Sequence, residues 1–171
     1  QSCRRRYGQW YEERGQYLQA LRAYGGAEDF DGVLRVVEKD AGILLALLPP
    51  EQVLSWLDRC LPEVLERHPL AMLVLMRSMF NWRRIPEMLR LKEQLLAAID
   101  ARPDMSGEER GNLRGECDLI MSFLLYNDIA GMSRLHRSAS AQMSRPAVSI
   151  RRQGGWTFGS PSVLMMFHRQ A

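Results

Sequence analysis

The sequence predicts an all-α fold built from stacked antiparallel helical hairpins, and three observations carry that prediction. Apolar residues recur at intervals of three and four along almost the whole chain, whereas the alternation expected of strands is nearly absent. Proline and capping residues punctuate the apolar stripes at the points where helices should start. The intervening connections are short, so successive helices must fold back on one another. At 171 residues with a 46% apolar share, the chain is large enough for one domain with a buried core.

The spacing predicts helices over 3–14, 17–25, 30–40, 50–60, 62–67, 69–81, 85–101, 106–125 and 128–141, and a further one beginning near 161. In the opening stretch, Gly8 and Ala20 leave room for two helices to approach, and Tyr11, Tyr17 and Tyr24 fill the gaps around them. Gly15 suits the turn between them, where a left-handed residue is expected. The third helix presents Phe30, Val33, Leu34 and Val37; the fourth starts with Pro50 at its first position and presents Val53, Leu57, Cys60 and Leu61. Pro62 and Pro69 restart the chain twice. The dense run Leu70 to Met76 is far short of the roughly 18 apolar residues of a membrane span and reads as a buried helix segment. Met88, Leu91, Leu95 and Ile99 form the next stripe, and Ser106 with Glu109 has capping-box spacing ahead of Leu113, Cys117, Ile120 and Leu124. Asn127 is placed to cap a helix whose stripe is Ile129, Met132, Leu135 and Ala139, and Ser160 to cap the last one. Between them, residues 142–160 form a long loop insertion.

The wider inventory narrows the function classes. Three cysteines, Cys3, Cys60 and Cys117, have no CxxC spacing, which fits buried thiols in a reducing cytoplasm better than a disulfide framework or zinc site. No secretory signal is visible. All 20 acidic residues lie at or before Asp128, while six arginines follow it, a segregation that suits an anionic ligand, nucleic acid, an acidic partner surface or simply carboxylates elsewhere in a longer protein. The chain begins at Gln1 and ends within an apolar stretch, "SVLMMFHRQA", so a fragment of a larger protein is expected.

Two segments present candidate ligand or interdomain residues. Trp82, Arg83 and Arg84 sit at a hairpin turn, where they can stack on a ligand or neighbouring domain, or where the tryptophan can staple the turn to the next hairpin. In "RRQGGWTFGSPS", Arg151 and Arg152 precede a possible helix N-terminus at Ser160, an arrangement that favours anions. Trp156 and Phe158 are expected to fold back over the helical layer. Gly154 and Gly159 have P-loop spacing, but Ser160 occupies the lysine position and Pro161 lacks an amide hydrogen, so a nucleotide grip is not expected there. Most of the ten methionines occupy helical core positions.

For catalysis the inventory is poor. His68, His136 and His168 are far apart, no HExxH or G-x-S-x-G occurs, and Glu116, Cys117 and Asp118 point about 100 degrees apart on a helix. His136, between Leu135 and Arg137, is placed either to meet a carboxylate or a ligand or, the reading preferred, to serve as a hydrogen-bonded structural residue. No catalytic or metal-binding residue is assigned.

The stretch "YGQWYEERGQYLQALRAYGGA" resembles a tetratricopeptide repeat, whose period is about 34 residues, and the fold expected from it is a right-handed superhelix, an α-solenoid. From "LLALLPPEQVLSWLDRCLPEVLERHPLAMLVLMRSMFNWRRIPEMLRLKEQLLAAI" onward, Pro-Pro-Glu, a short helix, His-Pro-Leu, a buried helix and a second hairpin follow in order. In this order the chain resembles the helical-repeat sensor region of MalT-type, LuxR-family transcriptional regulators. "MFNWRRIP" departs from that pattern, since a small turn containing glycine would be expected there. The resemblance implies a non-catalytic sensor and protein-interaction domain, cytoplasmic, without a membrane span and without a cofactor of its own. It further implies that ATP binds a separate module, that a separate helix-turn-helix contacts DNA, and that an unknown small-molecule inducer or protein partner promotes self-association. A generic protein-interaction scaffold, direct nucleic-acid binding and an unrecognised hydrolase remain as alternatives.

Overall fold

The computed structural model describes residues 2–40 and 42–147. Among them the regular structure is entirely helical: α1 Ser2–Glu13, α2 Tyr17–Gly26, α3 Phe30–Asp40, α4 Pro50–Arg59, α5 Pro62–Glu66, α6 Pro69–Asn81, α7 Ile85–Asp100, α8 Gly107–Met121 and α9 Ile129–Gln142. None of these helices is long and apolar enough to cross a membrane.

The proline starts are as the sequence predicts, with Pro50, Pro62 and Pro69 opening α4, α5 and α6. Ser106 caps α8 by accepting the Glu109 amide at 3.1 Å. At α9 the cap is Asp128, which accepts from the Gly131 amide at 2.9 Å, rather than Asn127. A carboxylate there also complements the positive end of the helix. The helix predicted over 106–125 tightens into a 3₁₀ turn at Ser122–Leu125, and a second 3₁₀ turn, Ile43–Leu47, lies in a segment predicted to be a connection. Gln142 belongs to α9, so the predicted loop begins one residue later; its part beyond residue 147, with the helix expected near 161, lies outside the described residues.

Three of the helix junctions are built alike. Gln16, Asp29 and Arg84 donate their amides to the carbonyls of Tyr11, Tyr24 and Met79, five residues back, at 2.9, 3.0 and 2.7 Å. The residue before each donor has positive φ: Gly15 at 70°, Glu28 at 57° and Arg83 at 58°. This is the Schellman closure, in which one left-handed residue lets the chain turn while satisfying carbonyls at the helix end. The next helix begins one residue after each donor, at Tyr17, Phe30 and Ile85. The turn "NWRRIP" therefore does the work of a glycine turn with Arg83 in the glycine's conformation.

The paired helices run antiparallel. In α1 and α2, Arg4 bonds to the Gly26 carbonyl at one end while Gly8 faces Tyr24 further along. In α8 and α9, Ser122 meets His136 near the turn, and Asp118 accepts from Ser138 and Gln142 on the far side. α7 packs along α6 in the same way, α2 also packs on α3, and α3, α6 and α8 lie successively against one another. The core runs through this series: Ala20, Leu21, Tyr24, Val36, Val37, the unbroken run Ala71 to Met76, Met79, Met88, Leu95, Ile99, Leu113 and Ile120 are all buried. Two expected core positions are exposed instead, Leu61 at 64% and Ile129 at 66%. Each stands at a helix start with no neighbour over it, and on α4 the buried anchor is Trp56 instead. The thiols also differ from expectation, since Cys117 is buried, Cys60 half-buried and Cys3 exposed.

Candidate functional site

Where α1, α2 and α3 meet, small residues bring the helices close. A Cβ on Gly8 or on Gly32 would lie 2.6 Å from Cδ1 of Tyr24, so the tyrosine ring is clasped by one glycine from α1 and another from α3. Its hydroxyl donates to Glu12 Oε2 at 2.6 Å. Glu12 also accepts Nε and Nη2 of Arg35, each at 2.8 Å, and Nζ of Lys39 at 2.7 Å. Four donors thus engage two oxygens of a side chain only 7% exposed.

The Arg35 guanidinium, with help from Lys39 and Tyr24, outweighs the desolvation of Glu12 and holds its carboxyl at about 2. Burial and the adjacent carboxylate push the Tyr24 hydroxyl up to about 12. A carboxylate so saturated has no proton affinity to offer a substrate, and in the cleft beside it, about 450 Å³ in volume, Glu12, Tyr24, Arg35 and Lys39 pair among themselves and Arg5 pairs with Asp29. This corner is a latch between helices.

A second polar cluster ties α3 to the start of α6. His68 places Nε2 3.0 Å from Asp31 and Nδ1 3.4 Å from Glu38, while Arg67 pairs with the other oxygen of Asp31 at 2.6 Å. With a carboxylate at each nitrogen, the imidazolium is the form whose donors are both used. The hydrogen bond to Glu38, against the opposing effect of burial and together with Asp31, raises the His68 pKa. His136 contrasts with it: burial lowers its pKa, and its Nε2 lies 2.9 Å from the hydroxyl of Ser122, which also donates to the Leu119 carbonyl. Ser122 is 1% exposed, so this pair joins α9 to the end of α8 out of a substrate's reach. Among the described residues no group of three His, Cys, Asp or Glu side chains is placed to hold a metal ion.

A different environment lies between α4, α5 and α7. Of α4's apolar residues, Val53 and Trp56 turn inward, and the Trp56 ring rests on Gly25 of α2 so closely that a Cβ there would collide with it. Leu54, and Leu57 at the edge of the inward face beside Val53, are half-buried and border an open groove of about 340 Å³. Across it, Glu87, Arg90, Leu91 and Gln94 line the opposite wall at i, i+3, i+4 and i+7 of α7, with Cys60 and Leu65 at the base. Burial pushes the Cys60 thiol up to about 11, which keeps it protonated and unreactive. Asp58 and Glu93 stand on opposite rims, and neither has a partner among the described residues.

Of the candidates from the sequence, Trp82 is half-buried and packs against the core just beyond the end of α6. Arg83 is exposed, and Arg84 reaches 3.6 Å from Glu87 on the groove's rim, where Arg90 also approaches at 3.9 Å. The turn therefore borders the groove without lining it. Arg151, Arg152, Trp156 and Phe158 lie outside the described residues. Sequence reasoning missed the latch and the groove. Glu12, four residues after Gly8 and hence on the same close-packed face, was the available signal for the first; the surplus of Leu54 and Leu57 over what one neighbouring helix can cover was the signal for the second.

Comparison with protein-family models, curated proteins and solved structures finds no match to this chain.

Proposed function

We propose that this chain is a non-catalytic sensor and protein-interaction domain of a MalT-like, LuxR-family transcriptional regulator, arranged as a tetratricopeptide-like right-handed α-solenoid. The observation that carries the reading is the recurrence of one turn, with one residue in the left-handed conformation and a hydrogen bond spanning five residues, at the α1–α2, α2–α3 and α6–α7 junctions. Repeated turns of this kind favour repeated packing angles, and stacked hairpins give a broad surface in place of a reactive pocket. The polar clusters support the same reading, because their donors and acceptors are spent on joining helices. In this reading ATP and DNA are bound by other modules in the cytoplasm. An inducer or partner acts here by favouring one packing or assembly state through its differential affinity.

Thermal unfolding of the chain in the presence of a panel of small metabolites, with duplex DNA as control, tests the proposal. A saturable rise in Tm with one metabolite class and none with DNA is expected, about 2.7 kcal/mol of added stability at a hundredfold excess over Kd. Salt-sensitive DNA binding by this chain alone, or turnover of any metabolite, would contradict it. A generic scaffold would respond to peptides and to no metabolite.

A further inference from the structure

We infer that the groove between α4 and α7 is a docking site for a basic amphipathic helix of a protein partner, which inserts apolar side chains between Leu54, Leu57 and Leu91 and sets cationic ones against Asp58 and Glu93. The inference rests on the reading of this domain as an interaction module, and names the class of partner.

Three features converge on such an occupant. The first is apolar surface left partly open: Leu54 and Leu57 on one wall are half-buried, Leu61, at the junction where α4 passes into α5, is 64% exposed, and the buried Leu65 and Leu91 close the groove beneath them. About 340 Å³ is near the lower end of ligand pockets, roughly 300–1,000 Å³, which suits a few inserted side chains better than an enclosed ligand. The second is shape. Both walls are helices presenting residues at three- and four-residue intervals, and the described chain has no strand edge to extend, so the guest that matches is a helix with anchors at i, i+3, i+4 and i+7.

The third is charge, which fixes the partner's sign. Asp58 on α4 and Glu93 on α7 flank the apolar floor and are unpaired among the described residues. The cation on the lining, Arg90, lies near Glu87, which Arg84 approaches as well, so that trio carries one net positive charge, which the carboxylates of Asp58 and Glu93 together outnumber. The two remaining carboxylates give the rims a negative potential that would repel an acidic helix and steer a basic one.

The test uses the full chain and a fluorescent helical peptide of about 18 residues, long enough to form a helix, with leucines at i, i+3, i+4 and i+7 and lysines on both flanks. Fluorescence anisotropy is expected to report saturable binding that weakens several-fold when salt is raised from about 50 to about 300 mM. The same peptide with glutamates in place of lysines is expected not to bind. Asp58→Lys combined with Glu93→Lys should raise Kd about tenfold, the size of effect that removing close charge pairs produces, and since both residues are exposed the melting curve should stay unchanged. Leu57→Asp provides an independent loss through the apolar wall, read beside its own melting curve because Leu57 also packs on the core. Equal binding of the acidic peptide, an unchanged Kd in the charge-reversed chain, or no binding up to about 1 mM would overturn the site. Persistent binding in both variants would move the contact to another face and leave the interaction-module reading standing, whereas a metabolite shift without peptide binding would refute the groove alone.

Discussion

α2 and α4 are helices of ten residues each, yet they are held in opposite ways. α2 lies between α1 and α3, with the Tyr24 ring clasped by Gly8 and Gly32 and its hydroxyl drawn into the Glu12 latch. α4 is anchored from one side, through Val53, Trp56 on Gly25 and the inner edge of Leu57, and Leu54 with the rest of Leu57 borders the groove. Where small residues let backbones meet on both flanks, apolar surface is used up and the polar groups satisfy one another. Where one large side chain carries the contact, a cavity is left beside it, and cavities are where partners bind. Tightness and availability are alternative uses of the same short amphipathic helix.

The largest effect is expected at the tight end. Tyr24→Ala removes the ring between two glycines that cannot close the gap and leaves the latch short of a donor. Urea unfolding should show a loss of about 3–5 kcal/mol, the range for large aromatic truncations in cores. A much smaller loss would mean that α1 and α3 settle onto each other and that the clasp is not what holds them.

Next comes the dependence on pH. Glu12 is held at about 2, below the ordinary carboxylate value of 4.5, so its contribution is present above 4.5 and is lost as pH falls from there toward 2. His68 is raised, so its contribution is complete below its ordinary value of 6.5 and is lost as pH rises through the elevated folded value. Stability measured by chemical denaturation should therefore be greatest between about 4.5 and 6.5 as far as these two groups decide it. Glu12→Gln should flatten the acid limb, at a cost of about 2 kcal/mol at neutral pH. His68→Gln should flatten the neutral-to-alkaline limb, and should also trim the acid limb, because His68 helps hold the Asp31 carboxyl low. A Glu12→Gln variant that flattened both limbs would join two clusters that the structure keeps apart.

The smallest effect concerns the shared turn. Arg83 holds a left-handed conformation that costs a residue with a side chain about 1 kcal/mol, so Arg83→Gly should recover most of that, readable as a rise in Tm. Gly15→Ala, in the equivalent position of the α1–α2 turn, should lose a similar amount, although nothing lies within 4 Å of a Cβ placed there. Opposite signs at equivalent positions would establish that the turns share one conformation.

The helices themselves were legible because their punctuation is local: a proline or a capping side chain fixes a start within a few residues, as at Pro50, Pro69 and Ser106. The turn at Arg83 was less so, since its conformation is imposed by hydrogen bonding between Arg84 and Met79 and not by the residue's own preference. The 3₁₀ turn at Ile43–Leu47 was hidden because "ILLAL" has no period to read. The candidate sites were hardest. Glu12 meets Arg35 and Lys39 across more than twenty residues, and an amphipathic stripe such as Val53, Leu54, Trp56 and Leu57 says that neighbours are needed without saying which side will lack one.

Native-state hydrogen exchange, compared helix by helix, tests most directly whether α4 is held on one side only. Its core amides, those of Trp56 and Leu57, should exchange through a local opening at least about tenfold faster than those of Ala20, Leu21 and Tyr24 in α2, a difference of about 1.4 kcal/mol in opening free energy. Equal protection in the two helices would contradict the one-sided anchorage of α4, and with it the groove as an open surface.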